Sequence, residues 1–171
     1  MRQSTIKFIL LFLAQAALWN YFNVSPYLFV AYLPALLLCL PPERSTLQVM
    51  VLAFLTGLLA DFLVSGQIGL TALALVPVAF VRRRVIRIVF GQEIFARGED
   101  LSFHRHGWAK FALAIALVTA LFLLIYIWVD SAGMYSAGFR TLKFVLSLLA
   151  STVLSLAVAY LYLEDSGARW K

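Results

Sequence analysis

The chain has little of what keeps a protein in water. Only 13% of its 171 residues are charged, against roughly a quarter in an ordinary globular domain. It contains one cysteine, Cys39, and two histidines. A single cysteine excludes an intramolecular disulfide and a zinc site built from thiolates. Cys39 lies inside an apolar run and reads as a small packed hydrophobe. The sequence holds no glycine-rich phosphate loop and no Ser/His/Asp or Cys/His arrangement, so nothing in it argues for an enzyme. His104 and His106, with Glu99 and Asp100 nearby, form only a weak metal signal, because no second ligand pair stands at helical spacing. No metal and no cofactor is expected. Fixed-period repeats and low-complexity tracts are also missing.

What the chain does have is apolar length. Hydrophobic residues make up 63% of it, and the mean hydropathy is +0.93. A soluble fold of this size has too little interior to hide that much apolar surface, which leaves lipid as the solvent. The formal net charge of +6 does not point to nucleic acid. The basic residues cluster at the ends of apolar runs, and no alternation of Lys/Arg with aromatic residues is present.

A hydrocarbon core about 30 Å thick needs roughly 20 helical residues to cross it. Six segments qualify: 5–22, 25–41, 46–64, 68–88, 109–129 and 140–163. The expected fold is an all-α membrane protein, a single domain over 1–171 folded as a compact bundle of about six transmembrane helices. The second segment contains Pro26 and Pro34, which predicts a kinked helix. In the fourth, Arg82, Arg83, Arg84 and Arg87 follow Val81; the helix either runs full length with snorkelling arginines or bends into the interface. Ala14-Gln15-Ala16 resembles a signal-peptidase site, but apolar and aromatic sequence continues to Phe22, so a retained first helix is expected.

Charge sets the orientation. With the N-terminus inside, only Arg140 and Lys143 of the fourteen basic residues fall outside. The opposite orientation violates the positive-inside rule almost completely. Both termini are therefore expected in the cytoplasm. Trp19, Tyr21, Phe22 and Tyr27 at the first outer loop, and Tyr126, Trp128 and Tyr135 at the third, suit the interface.

Asp61 is the one acidic residue well inside an expected span. A charge at the bilayer centre costs at least about 2.5–3.5 kcal/mol, so it needs a reason. It could bind a cation or substrate or relay a proton, cap the fourth span or bond a neighbouring one, or face a partner protein. Ala53 and Gly57 make a small-x-x-x-small pair, and Asp61 continues that face. Gly66 and Gly69 bracket a short outer turn. Spans 3 and 4 should form a tight hairpin. Ala112, Ala116 and Ala120, and Ser147, Ser151 and Ser155, read as helix-packing ladders, with a polar cavity as the rarer use of the serines. The cluster Arg82, Arg83, Arg84 and Arg87 reads as an anchor on anionic inner-leaflet lipid, with a cytoplasmic acidic partner as the sharper reading; Val81, Val85, Ile88 and Val89 would share one face with the arginines opposite.

At Gly57-Leu58-Leu59-Ala60-Asp61, followed by Gly66-Gln67-Ile68-Gly69-Leu70-Thr71-Ala72-Leu73, the chain resembles the MreD family of bacterial rod shape-determining proteins. The motif covers roughly residues 51–75. The resemblance implies a non-enzymatic subunit of the cell-elongation (rod) complex in the bacterial cytoplasmic (inner) membrane, supporting cell shape and side-wall peptidoglycan synthesis. Its partner would be an MreC-type protein with one span and a periplasmic domain, alongside MreB filaments and the glycan polymerase with its transpeptidase. Gly57, Asp61, Gly66 and Gly69 would shape the hairpin. The family is similar in fold to the six-helix substrate-binding (S-component) subunits of vitamin transporters. The rival reading is therefore the substrate-binding membrane subunit of an energy-coupling-factor transporter, for which Trp128, Asp130, Tyr135 and Arg140 could hold a ligand. Ala14, Ala16 and Ala17 miss the Ala-x-x-x-Ala spacing of such subunits. A proton-coupled permease carried by Asp61 fits least, because no inverted repeat accompanies it.

Overall fold

A computed structural model describes residues 2–21, 28–42, 44–65, 68–91, 107–131 and 136–167. Among these, every regular element is helical: α1 (Arg2–Tyr21), α2 (Leu33–Leu38), α3 (Thr46–Ala60, continued by a π turn at Asp61–Ser65), α4 (Leu70–Phe90), α5 (Trp108–Ser131) and α6 (Ala137–Gly167). Three helices are long and apolar enough to cross a membrane: Thr46–Val64, Trp108–Ser131 and Ala137–Leu163. The apolar part of α1, Ile6–Tyr21, is shorter.

Neighbours in sequence are neighbours in space. α3 packs on α4, α4 on α5, and α5 on α6. Phe111, Ile115, Val118 and Phe122 project from α5 into the core and are fully buried. The Ala112–Ala116–Ala120 ladder is only half-buried, so the α5 seam is built by its large residues and not by the expected alanines. α3 shows the opposite face to its surroundings through Leu47, Val51, Phe54 and Leu55, all exposed. Together with Ile6, Ile9, Leu10 and Leu13 of α1, these form an apolar exterior of the kind that suits lipid.

The expected second helix is not there. Residues 28–32 are non-helical, and only the six residues of α2 wind into a helix. Pro34 sits in the first turn of α2, where its missing N–H costs nothing. Every residue of α2 is buried, and it contacts α1, α4, α5 and α6. A helix apolar on all sides belongs in the middle of a fold. The segment still travels as a span would. Tyr32 meets Leu11 while Val30 meets Trp19, so it runs antiparallel to α1; Phe29 meets Ser147 while Ala31 meets Ser151, so it runs parallel to α6. It is a broken segment, half irregular backbone and half short helix.

α4 settles the other ambiguity. It is one 21-residue helix through Pro77 and all four arginines. The expected division into an apolar face and an arginine face does not hold. Arg82 is buried with Val85 and Ile86, while Ile88 is 80% exposed.

Candidate functional site

The first cluster of expected site residues is the α3–α4 hairpin. Its core is a backbone contact. A Cβ on Gly57 would lie 2.4 Å from the Cα of Ala72 and 2.6 Å from its nitrogen. Only glycine permits that approach. Ala53, one turn earlier, is fully buried on the same face. One turn later, Asp61 turns its carboxylate to the start of α4. Oδ2 accepts the Gly69 N–H at 2.9 Å, both oxygens accept the Thr71 N–H at 3.0 Å, and Oδ2 also reaches the Ala72 N–H at 3.4 Å. The first N–H groups of a helix have no acceptor within it, and a carboxylate there also meets the positive end of the helix dipole. Asp61 is fully buried. Of the roles considered for it, capping of α4 is the one the geometry displays. Gly69 adopts φ +101° at the N-cap, a left-handed conformation natural to glycine. Gly66 and Gln67 lie outside the described residues. The tip around this cap is apolar and open, with Phe62, Leu63 and Ile68 all exposed.

The second cluster, the arginines, is divided by the structure. Arg82 points inward and donates to the carbonyls of Leu38, Leu40 and Pro41. Leu38 closes α2, and its carbonyl has no partner within the helix; Leu40 and Pro41 follow it, and the Pro41 carbonyl also accepts the Arg44 N–H at 3.4 Å. Its neighbours Arg83, Arg84 and Arg87 are exposed and, with Thr46 and Phe80, line a groove of about 220 Å³. Arg84 lies over the Phe80 ring at 5.7 Å.

A third cluster gives two features of the sequence an unexpected role. Gln15, read only within the Ala14-Gln15-Ala16 triplet, is fully buried. Its amide nitrogen donates to the Val30 carbonyl at 3.1 Å and its amide oxygen accepts the Tyr32 N–H at 2.8 Å. Trp19 Nε1 donates to the same Val30 carbonyl at 2.6 Å. From the other side, Ser147 accepts the Phe29 N–H at 2.9 Å and Ser151 the Ala31 N–H at 3.0 Å. Irregular backbone away from water is tolerated only where protein satisfies it. Here four side chains from two helices do what a sheet neighbour would do. Ser147 and Ser151 of the serine ladder thus serve as backbone partners, neither plain helix packing nor a cavity lining. The sequence offered a partial signal: Gln15 stands amid the apolar run of α1, and α6 carries two serines one turn apart. The stacked rings of Trp19, Phe29, Tyr126 and Phe122, with successive centroids 5.2, 4.2 and 5.6 Å apart, close the same region.

The residues proposed for ligand capture at the third outer loop engage one another. Lys143 pairs with Asp130 at 3.4 Å, and the Arg140 guanidinium lies 5.5 Å from the centroid of the Trp128 ring. Tyr135, and His104 and His106 with Glu99 and Asp100, lie outside the described residues. Among the described residues, no group of three or more His, Cys, Asp or Glu could hold a metal ion.

These arrangements define the class: a helical membrane protein, with three helices apolar enough to span, whose bundle is organised around a buried, broken segment. No family model, curated protein or solved structure matches the chain.

Proposed function

We propose that this chain is a non-enzymatic membrane subunit of the bacterial cell-elongation (rod) complex, of the MreD kind, that binds an MreC-type single-span partner and supports side-wall peptidoglycan synthesis. One observation carries the reading: the Gly-Leu-x-x-Asp segment packs α3 closely on α4 and caps it. Gly57 sets the approach of α3 to α4, Asp61 caps α4, and Gly69 makes the turn. A carboxylate held by three N–H groups is a fastener rather than a carrier, which favours a scaffold over a permease. Beside this cap, Phe62, 76% exposed, and Ile68, 70% exposed, present apolar side chains that a partner helix could cover.

In this reading the protein lies in the inner membrane with both termini in the cytoplasm. It crosses six times, counting the broken span. The hairpin tip then faces the periplasm, the side on which the partner's soluble domain would lie, and the arginines face the cytoplasm.

The test is affinity purification in mild detergent from the native membrane, with Phe62→Asp and Ile68→Asp variants beside the wild type. The reading expects a single-span protein with a periplasmic domain, together with glycan-polymerising enzymes, from the wild type, and their loss from variants that still insert and melt normally. Recovery of paired ATPases with a coupling membrane protein would instead make the chain a transporter's substrate-binding subunit.

A further inference from the structure

The groove at the far end of the hairpin has no part in that reading. Its polar lining comes from two sources of positive potential. Arg83, Arg84 and Arg87 rise from the last turns of α4, and Thr46 begins α3. The α3 N-terminus is well formed. Ser45 Oγ accepts the Gln48 N–H, and the Gln48 side chain accepts the Ser45 N–H. This capping box occupies the N–H of the third helical residue. Those of Thr46 and Leu47, ahead of it, have no acceptor within the helix, and the positive end of the helix dipole emerges beside the arginines. Three guanidinium groups and a helix start around about 220 Å³ suit a phosphate.

The flank beyond the arginines is apolar. Phe80 forms part of the groove itself. Running from it toward the other end of the hairpin, Leu47, Val51 and Leu55 of α3 and Phe80 and Leu73 of α4 are exposed. A soluble phosphate would make no use of those flanks, whereas acyl chains would lie along them.

We propose that this groove is a binding site for the headgroup phosphate of an anionic phospholipid. It is a site of defined residues, in contrast to a diffuse attraction of basic residues to the membrane surface. Basic pockets between transmembrane helices bind lipid headgroups by this chemistry. Arg82 has no part in it, because its guanidinium is committed to the α2 carbonyls.

The experiment uses the full chain in nonionic detergent and reads retained lipid by native mass spectrometry. Phosphatidylglycerol, phosphatidylcholine and glycerol phosphate are titrated separately. The wild type should retain one phosphatidylglycerol at concentrations where phosphatidylcholine is not retained and glycerol phosphate does not compete. Arg84→Gln/Arg87→Gln should bind phosphatidylglycerol about thirtyfold more weakly. Lys143→Gln, paired with Asp130 at the other end of the bundle, should bind like the wild type. Thr46→Asp provides a second probe: an acid in the first turn favours the helix but repels a phosphate, so it should weaken retention while preserving the fold. Undiminished retention in both groove variants would overturn the site. Equal weakening by Lys143→Gln would reduce it to bulk charge. Competition by glycerol phosphate at the lipid's own concentration would make the ligand a soluble phosphate.

Discussion

Gly57 and Ala72 bring α3 and α4 together backbone to backbone, with 2.4 Å between the Cα of Ala72 and the place a Cβ on Gly57 would take. No rotamer change relieves that distance, because the atom met is main chain. Gly57→Ala should therefore force the two helices apart and cost about 1–3 kcal/mol, read as a lower unfolding midpoint in detergent titration. Gly138 supplies the control. It lies in α6 with nothing within 4 Å of an added Cβ, so Gly138→Ala should be neutral or stabilise by up to about 1 kcal/mol through helix propensity.

Asp61 lies one turn along the same face and gives a graded test. Asp61→Ala leaves the N–H groups of Gly69 and Thr71 without their acceptor in a buried site. A buried donor left unsatisfied costs about 1–3 kcal/mol, so a loss of roughly 2–5 kcal/mol is expected once the hairpin relaxes. Asp61→Asn keeps one acceptor oxygen and should lose less than half as much. Parallel melting curves of the two variants check the order. Equal destabilisation would mean that the carboxylate's charge, not its acceptor geometry, is what α4 requires.

The hairpin was legible because its chemistry is local. A small-x-x-x-small face, an acid one turn on and a glycine after it are all read within 20 residues. The broken segment was not, because hydropathy counts apolar residues and is blind to whether backbone groups pair within a helix. Residues 25–41 are apolar enough to be taken for a helix. Their true partners, Gln15, Ser147 and Ser151, are 15 to 122 positions away in sequence. Arg82 misled for a similar reason. Beside three other arginines it reads as one more surface charge, and only the end of α2, 44 residues earlier, shows why it turns inward.

The serines of α6 separate backbone partners from bystanders. Ser147 and Ser151 hold the N–H groups of Phe29 and Ala31, whereas the equally buried Ser155 hydroxyl has no hydrogen-bond partner. Ser147→Ala and Ser151→Ala should each cost about 1–3 kcal/mol. Ser155→Ala removes a buried unpaired hydroxyl and should be neutral or mildly stabilising. Gln15→Leu, which strips the Val30 carbonyl and the Tyr32 N–H of one partner each, should exceed either serine loss. Hydrogen exchange at Phe29 and Ala31 supplies the local readout. It should accelerate in the two damaging serine variants and stay slow in Ser155→Ala.

Arg82 tests whether the end of the broken segment needs a planar donor or merely a positive charge. Its Nε and Nη2 both reach the Leu38 carbonyl at 3.4 Å, and Nη2 extends to Pro41 at 3.3 Å. One side chain thus spans the carbonyls at the end of α2. Lysine carries the same charge but presents it as a compact ammonium without the guanidinium fork. Arg82→Lys should therefore lose about 1–3 kcal/mol, and Arg82→Met, which removes the side-chain donor to Leu38 and Leu40 and leaves Pro41 only the Arg44 N–H, should lose more. If charge alone mattered, Arg82→Lys would match the wild type. The unfolding midpoints decide between these outcomes, and tryptophan emission adds a local check. Trp19 bonds Val30 at the opposite end of the same segment, so an unanchored α2 should shift its spectrum, while a variant that only weakens α4 should not.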